Sequence, residues 1–409
     1  MKYRIIVIIL LLFTLPLVLA TAENREGCTT AIINGAASLD GVPMLWKNRD
    51  TNFLSNKVIY VKETPYSYLA LINAKEVSGR WAYAGLNSEG FGIMNSVAYN
   101  LPKNEEEMKD LEGQIMADAL RTCRTADDFE KYLERNLGPT LGSWANFGVI
   151  DARGNAVIFE VYNHGYKKYD AVNASGKYLV NSNFARSGEE AKGAGYLRFE
   201  RATVLFKQIS AKKISHEYIF QNISRDLGHP LLEHPTFEQL ENTSTDKPVW
   251  IYNRDCIDRP YSASAVVING KKPGDKDSIA TFWVILGEPV TSIAVPVWVE
   301  AGESPLPLWD GEHAPICAQA LRIKKFIYPF SEGSKKYYMQ ATRLINKEKT
   351  GFLPLLLKTE REIFAETDRF LKSKPKHTTK ELAAFQTKMA EKALQVMKKI
   401  KGTNDETIH

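Results

Sequence analysis

Cys28 is the residue that most invites chemistry. It follows Gly27 and opens a β-rich run, Thr29-Thr30-Ala31-Ile32-Ile33. A thiol at such a junction gains a second function if the Gly27–Cys28 bond is cut. One residue would then carry both a nucleophilic sulfur and a free α-amine. The reference pKa of an α-amine is about 7.7–8.0, so it can accept the thiol proton near neutral pH without a histidine. The seven histidines are scattered, with no metal-ligand spacing and no clear pairing to a cysteine. Four cysteines in 409 residues are far too few for a disulfide scaffold. Cys256 and Cys317 stay open as a pair in an oxidising compartment, with Cys123 then free.

The residues ahead of Cys28 set a compartment. Met1-Lys2-Tyr3-Arg4 is basic, residues 5–20 form an apolar run, and Ala20-Thr21-Ala22 supplies the small-x-small pattern of a cleavage site. This reads as a signal peptide over 1–22, too short and too proline-broken (Pro16) for a spanning helix. Export to a periplasmic or extracellular location is the expectation. A leftover stretch, 23–27, would serve as a short propeptide ahead of Cys28.

The elements that must position Cys28 alternate in type. Residues 28–97 read mostly as strands, with Asp40-Gly41 and Asn87-Ser88-Glu89-Gly90 as turns. Helices are expected over 105–121 and over 126–136, the latter capped by Thr125. Strands return at 144–150, 156–162 and 178–180, followed by helices over 195–210 and 216–227. A second set of strands is expected at 262–268, 280–286 and 291–299, the last broken or at an edge because of Pro296. From 331 the pattern is helical, and Thr378-Thr379-Lys380-Glu381 forms a capping box for 382–401. The whole reads as a layered α+β body with a helical C-terminal extension, divided at about 330.

Five motifs surround Cys28 in order: Gly27-Cys28-Thr29-Thr30; Lys47-Asn48-Arg49-Asp50; Gly85-Leu86-Asn87-Ser88-Glu89-Gly90 running on to Asn95; Leu179-Val180-Asn181-Ser182-Asn183; and Arg198-Phe199-Glu200-Arg201-Ala202. Together they resemble the N-terminal-nucleophile hydrolases of the choloylglycine hydrolase and penicillin acylase group. Acyl-coenzyme A:6-aminopenicillanic acid acyltransferases and acid ceramidases are close in pattern. The resemblance spans 28–299 and implies a four-layer αββα sandwich that cleaves linear N-acyl amides through a thioester. It implies Cys28 as nucleophile, with its own amine as base and Asp50 holding both. It also implies Asn181 as one oxyanion donor, Asn95 or its backbone amide as the second, and Arg198 beside the thiolate. Lys47 stands where the family usually has Arg, so a bidentate contact is lost there or shifted to Arg49. Asn183 competes with Asn181, because residues two apart on a strand share a face; Asn181 is preferred. Acyl transfer to an amine, dipeptide cleavage and a non-catalytic binding module on the same fold are the alternatives.

Charge and composition exclude other classes. With 44% hydrophobic and 25% charged residues the chain is neither disordered nor low-complexity. A net charge of +5 is too small to argue for nucleic acid, and no metal or cofactor is called for. Removing 1–27 leaves +4, with +7 on residues 332–406 and −3 on the body. The expected partner is a small-molecule N-acyl amide. Membrane contact would come only through an uncleaved signal segment, and the oligomeric state, a homo-oligomer included, is left open.

Overall fold

The computed structural model describes residues 27–76, 78–103, 109–209 and 214–400. The signal peptide, residues 23–26 of the propeptide and 105–108 of the first expected helix lie outside them. Among the described residues no helix is long and apolar enough to cross a membrane.

Two antiparallel sheets face each other. The first is six-stranded, in the order β10 (Tyr178–Asn181), β1 (Gly27–Ile33), β2 (Met44–Asp50), β12 (Ser262–Asn269), β13 (Thr281–Leu286), β14 (Val295–Val297). The second is seven-stranded and runs in chain order: β3 (Asn56–Val61), β4 (Tyr68–Asn73), β5 (Ala84–Asn87), β6 (Gly92–Val97), β7 (Trp144–Ile150), β8 (Ala156–Tyr162), β9 (Gly165–Asp170). A short ribbon pairs β11 (Trp250–Tyr252) with β15 (Tyr338–Gln340).

The period of two in the strands sorts side chains between layers. On β4, Leu69 and Leu71 enter the core between the sheets, while Tyr68, Ala70 and Ile72 enter a second core. That second core lies under α1 (Glu112–Thr122) and α2 (Ala126–Asn136). On the first sheet's outer face, Trp46 meets Phe206 of α3 (Tyr196–Gln208). The layers are therefore helix, sheet, sheet, helix. β1 and β2 are buried along their whole length, as central sandwich strands must be.

Most expected elements are present, with shifts at their ends. The connection between β1 and β2 occupies 34–43, longer than a two-residue hairpin, with Gly41 at φ +71°. The helix expected over 216–227 is only one turn, α4 (His216–Tyr218), running into a wider π turn over Ile219–Ile223. The strand expected over 291–299 shrinks to β14, which is an edge strand with Pro296 opposite Trp283. Proline lacks the N–H that a further strand would need, so the sheet stops there.

The remaining helices are α5 (Phe237–Glu241), α6 (Leu306–Trp309), α7 (Pro315–Ile327), α8 (Leu353–Lys372) and α9 (Thr379–Lys398). The capping box at Thr378 and Glu381 starts α9. Its Met389, Ala390, Ala393 and Met397 join the main core. Burying each methionine contributes about 1.5–3 kcal/mol. Arg225 and Glu360, both buried, fasten α8 to the body through two hydrogen bonds of 2.8 Å. The C-terminal region is thus part of the body's packing, and β15 makes it more than helical.

Candidate functional site

The hairpin of β1 and β2 puts Cys28 opposite Arg49, Thr30 opposite Lys47 and Gly27 opposite Asp50. Alternation then divides them. Lys47 and Arg49 share the inner face with Cys28, between the sheets; Thr29, Asn48 and Asp50 point to the outer face, toward α3.

The outer face holds a polar cage. Asp50 Oδ1 accepts from Ser262 Oγ at 2.8 Å, and Asp50 Oδ2 accepts from Arg259 Nε at 2.7 Å. Arg198 Nη1 lies 3.8 Å from Asp50 Oδ2. The same Nη1 donates to the Cys28 carbonyl at 2.7 Å and to Thr29 Oγ1 at 2.9 Å. Arg198 Nη2 donates to Asn183 Oδ1 at 2.7 Å, and that oxygen also accepts the Cys28 backbone N–H at 3.0 Å. All these side chains are buried. Burial lowers the Arg198 guanidinium to about 10; Arg259 pushes the same way, and Asp50 and Cys28 oppose it.

A bulge makes the cage. The register of β12 against β2 slips between Ser262 and Ser264, opposite Asp50 and Arg49. The extra residue turns Ser262 and the preceding Arg259 onto the carboxylate, a known use of bulges beside sites. Gly27 sits inside. A Cβ there would run into Arg259 Nη2 and come within 2.9 Å of Arg198 Nη2, so a side chain before Cys28 would have to displace the two guanidiniums of the cage.

The inner face holds a small cavity of about 30 Å³, room for a water. Cys28 and Gly27 line it together with Lys47, Arg49, Asn95 and Asn183. Lys47 Nζ donates to Asn95 Oδ1 at 2.8 Å and to the Tyr83 carbonyl at 2.7 Å. Asn95 thus has its acceptor end occupied and its Nδ2 left as the donor end. Arg49 does not replace Lys47 at Asn95. Its guanidinium goes to Asn56 Oδ1 and Asn73 Oδ1, at 2.9 and 3.0 Å, and lies 3.8 Å from the Tyr83 ring centre. Asp110, just before α1, reaches the rim of the cavity. No histidine lines it among the described residues.

The structure therefore brings together Cys28, Lys47, Asp50, Asn95 and Arg198. Asn181 is placed otherwise. It pairs with Thr30, and its Oδ1 accepts from Arg186 Nη1 at 2.7 Å. Asn183, two residues on, is the amide at Cys28. Its Nδ2 is spent on the Val97 carbonyl at 3.0 Å, so it presents an acceptor to Cys28. Sequence reasoning missed Arg259 and Ser262 altogether. All four cysteines are free thiols, Cys256 and Cys317 included.

No family model matches the chain. No curated protein matches it either. Solved structures do. A Caenorhabditis elegans ortholog of N-acylethanolamine-hydrolyzing acid amidase is 13% identical, over 61% of this chain and 95% of that one, with a TM-score of 0.41. A mutant conjugated bile acid hydrolase from Clostridium perfringens is 11% identical over 66% and 92%, TM-score 0.39. Penicillin V acylase from Agrobacterium tumefaciens is 13% identical over 66% and 86%, TM-score 0.36. Identities and TM-scores this low leave function to be read from the site itself.

Proposed function

We propose that this chain is a cysteine N-terminal-nucleophile amidohydrolase that cleaves linear N-acyl amides. The observation that carries the reading is the junction at Cys28. A buried thiol stands at a cavity that no histidine lines among the described residues, while Arg198 and Asn183 grip the backbone on either side of it. Such a grip on main-chain atoms serves a residue whose amine must stay in place after its peptide bond is cut.

The steps follow from the contacts. Cys28 Sγ attacks the Gly27 carbonyl, the acyl group moves from nitrogen to sulfur, and water hydrolyses that thioester, which leaves a free thiol and α-amine on Cys28 and removes Gly27 from the cavity that it lines. The amine keeps Asn183 Oδ1 as its acceptor and takes the thiol proton through its lone pair. The thiolate attacks the substrate carbonyl, and negative charge develops on the carbonyl oxygen. Asn95 Nδ2, its amide oriented by Lys47, is the donor for that oxyanion, a role worth about 2.7–4 kcal/mol. The α-ammonium returns its proton to the leaving amine, and a thioester remains on Cys28. Water, deprotonated by the same amine, releases the acid. Arg198 and Arg259 offset the charge of Asp50 and add positive potential beside the thiolate.

Export and self-processing belong to this reading. Intact-mass measurement of the purified, active protein is expected to give a chain starting at Cys28. Cys28→Ala is expected to stay uncut at Gly27 and to turn over none of a panel of acyl amides. Active protein starting at residue 23, or undiminished hydrolysis by Cys28→Ala, would overturn the proposal.

A further inference from the structure

Behind the cage lies a second polar cluster, formed by residues that touch neither Cys28 nor its cavity. The Asp258 and Glu288 side chains are buried, and the charge of Glu288 helps to push the Asp258 carboxyl up. Asp258 Oδ2 accepts the Val290 N–H at 2.9 Å, while Asp258 Oδ1 receives no N–H or hydroxyl. Glu288 Oε1 accepts from Tyr328 Oη at 2.6 Å, and Oε2 lies 2.8 Å from Lys324 Nζ. Two carboxyl groups thus meet one ammonium in a buried place. Both cannot be ionised at neutral pH without leaving a net buried charge, so the pair keeps one proton.

Among the described residues Lys324 is the cation paired with these carboxyls; Arg225, on the neighbouring Pro289 carbonyl, is taken by Glu360, and Arg259 by Asp50. From α7 comes Lys324, and from the residue that caps its C-terminus the Tyr328 phenol, whose oxygen also accepts from Asn253 Nδ2 at 2.6 Å. From the 226 segment comes only a backbone carbonyl, which accepts the Asp258 N–H; the Asp226 carboxylate is taken by Arg201. The cluster grips both ends of one short turn. Asp258 is its first residue, and Lys324 Nζ donates to the carbonyl of its last, Ser262, at 3.2 Å. Between them, the Ser262 N–H closes on the Arg259 carbonyl at 2.8 Å. This turn delivers Arg259 and Ser262 to Asp50.

We propose that Asp258, Glu288 and Lys324 are positioning residues, sharing one proton, that hold the 258–262 turn on Asp50. Asp258 is the protonated member. Burial raises it well above the usual carboxylate range with Glu288 pushing the same way, whereas Glu288 has the ammonium and the phenol for partners. At alkaline pH the proton leaves, two carboxylates face one ammonium, and the turn loosens. The effect on turnover rests on the amidohydrolase reading; the hold on the turn does not.

The test compares Asp258→Asn with Asp258→Ala. The asparagine keeps a donor toward Glu288 and an acceptor for Val290 but cannot ionise. Its kcat at pH 7 is expected within about twofold of wild type, with the alkaline fall in kcat moved up by about one pH unit or more. Asp258→Ala is expected to lose about tenfold or more in kcat at every pH, as misplaced catalytic groups do. Hydrogen-exchange protection of the 258–262 amides gives a readout without substrate. It should drop with pH in wild type, hold in Asp258→Asn and be weak throughout in Asp258→Ala. Equal protection in all three proteins, or an asparagine variant as impaired as the alanine one, would overturn the proposal. Wild-type protein that hydrolyses no amide, yet shows the expected protection pattern, would overturn the amidohydrolase reading alone.

Discussion

Two buried carboxylates show opposite ways of using charge. Glu360 meets one guanidinium, Arg225, and the pair is complete. All five Arg225 N–H groups are used: two on Glu360, and three on the carbonyls of Pro289, Phe220 and Ser292. Asp50 meets two guanidiniums, Arg198 and Arg259, and is one negative charge short. A balanced, saturated pair holds helix α8 to the body and has nothing left to offer. The unbalanced cage keeps a surplus of positive charge a residue away from a thiol. Charge closes at the helix anchor and stays open beside Cys28.

Removing the two carboxylates separates these roles, and the largest effect is expected at Asp50. Asp50→Asn should lower kcat/KM for an N-acyl amide by about 10²-fold or more, since it frees the groups that hold the Cys28 backbone. Glu360→Gln should instead cost about 3–5 kcal/mol of unfolding free energy, because Arg225 is left buried without its counter-charge. Urea unfolding and steady-state kinetics on both variants decide the matter. A Glu360→Gln protein that is folded at the assay temperature but as slow as Asp50→Asn would erase the distinction.

How far each region could be read from sequence follows from the distance between partners. Cys28, Lys47 and Asp50 lie on neighbouring strands joined by a ten-residue connection, so their motif spacing carries their geometry. Arg259 and Ser262 reach Asp50 across 209 and 212 residues. Only the pairing of β12 with β2, bulge included, brings them there, and no local pattern encodes that pairing. The same holds for Arg225 and Glu360, although the apolar period of α9 and its capping box were legible. Asn181 and Asn183 illustrate a finer limit. Alternation puts both on one face, but the register of β10 against β1 decides which stands at Cys28, and register is a tertiary property.

That register gives the next contrast. Asn183→Ala removes the acceptor of the Cys28 N–H and of Arg198 Nη2. Hydrogen bonds to charged groups are worth about 1.5–3 kcal/mol, so a fall in kcat of about ten- to a hundredfold is expected. Asn181→Ala removes a partner of Arg186, which keeps the Val180 carbonyl and lies 3.7 Å from Glu160. Its effect should be on stability and within about 1 kcal/mol. Kinetics on the two alanine variants under identical conditions test this. A slower Asn181→Ala enzyme would return the catalytic assignment to that residue.

The smallest effect concerns pH and belongs to the C-terminal side of the comparison. The His216 ring stacks on Trp283 at 4.6 Å and meets the edge of Phe364, a residue of α8, at 5.0 Å. Burial lowers its pKa to about 4, with Asp368 opposing weakly. The folded protein therefore holds the ring neutral over a range where the unfolded chain, near 6.5, binds a proton. Stability from this site is complete above about pH 6.5 and declines as pH falls toward 4. His216→Phe keeps an aromatic ring there and cannot titrate, so its melting temperature should fall less than that of wild type between pH 7 and pH 4.5. The same acid slope in both proteins would remove His216 as the cause. Because His216 grips α8 rather than the Asp50 cage, the pH dependence of kcat at temperatures well below melting should be unchanged by this substitution.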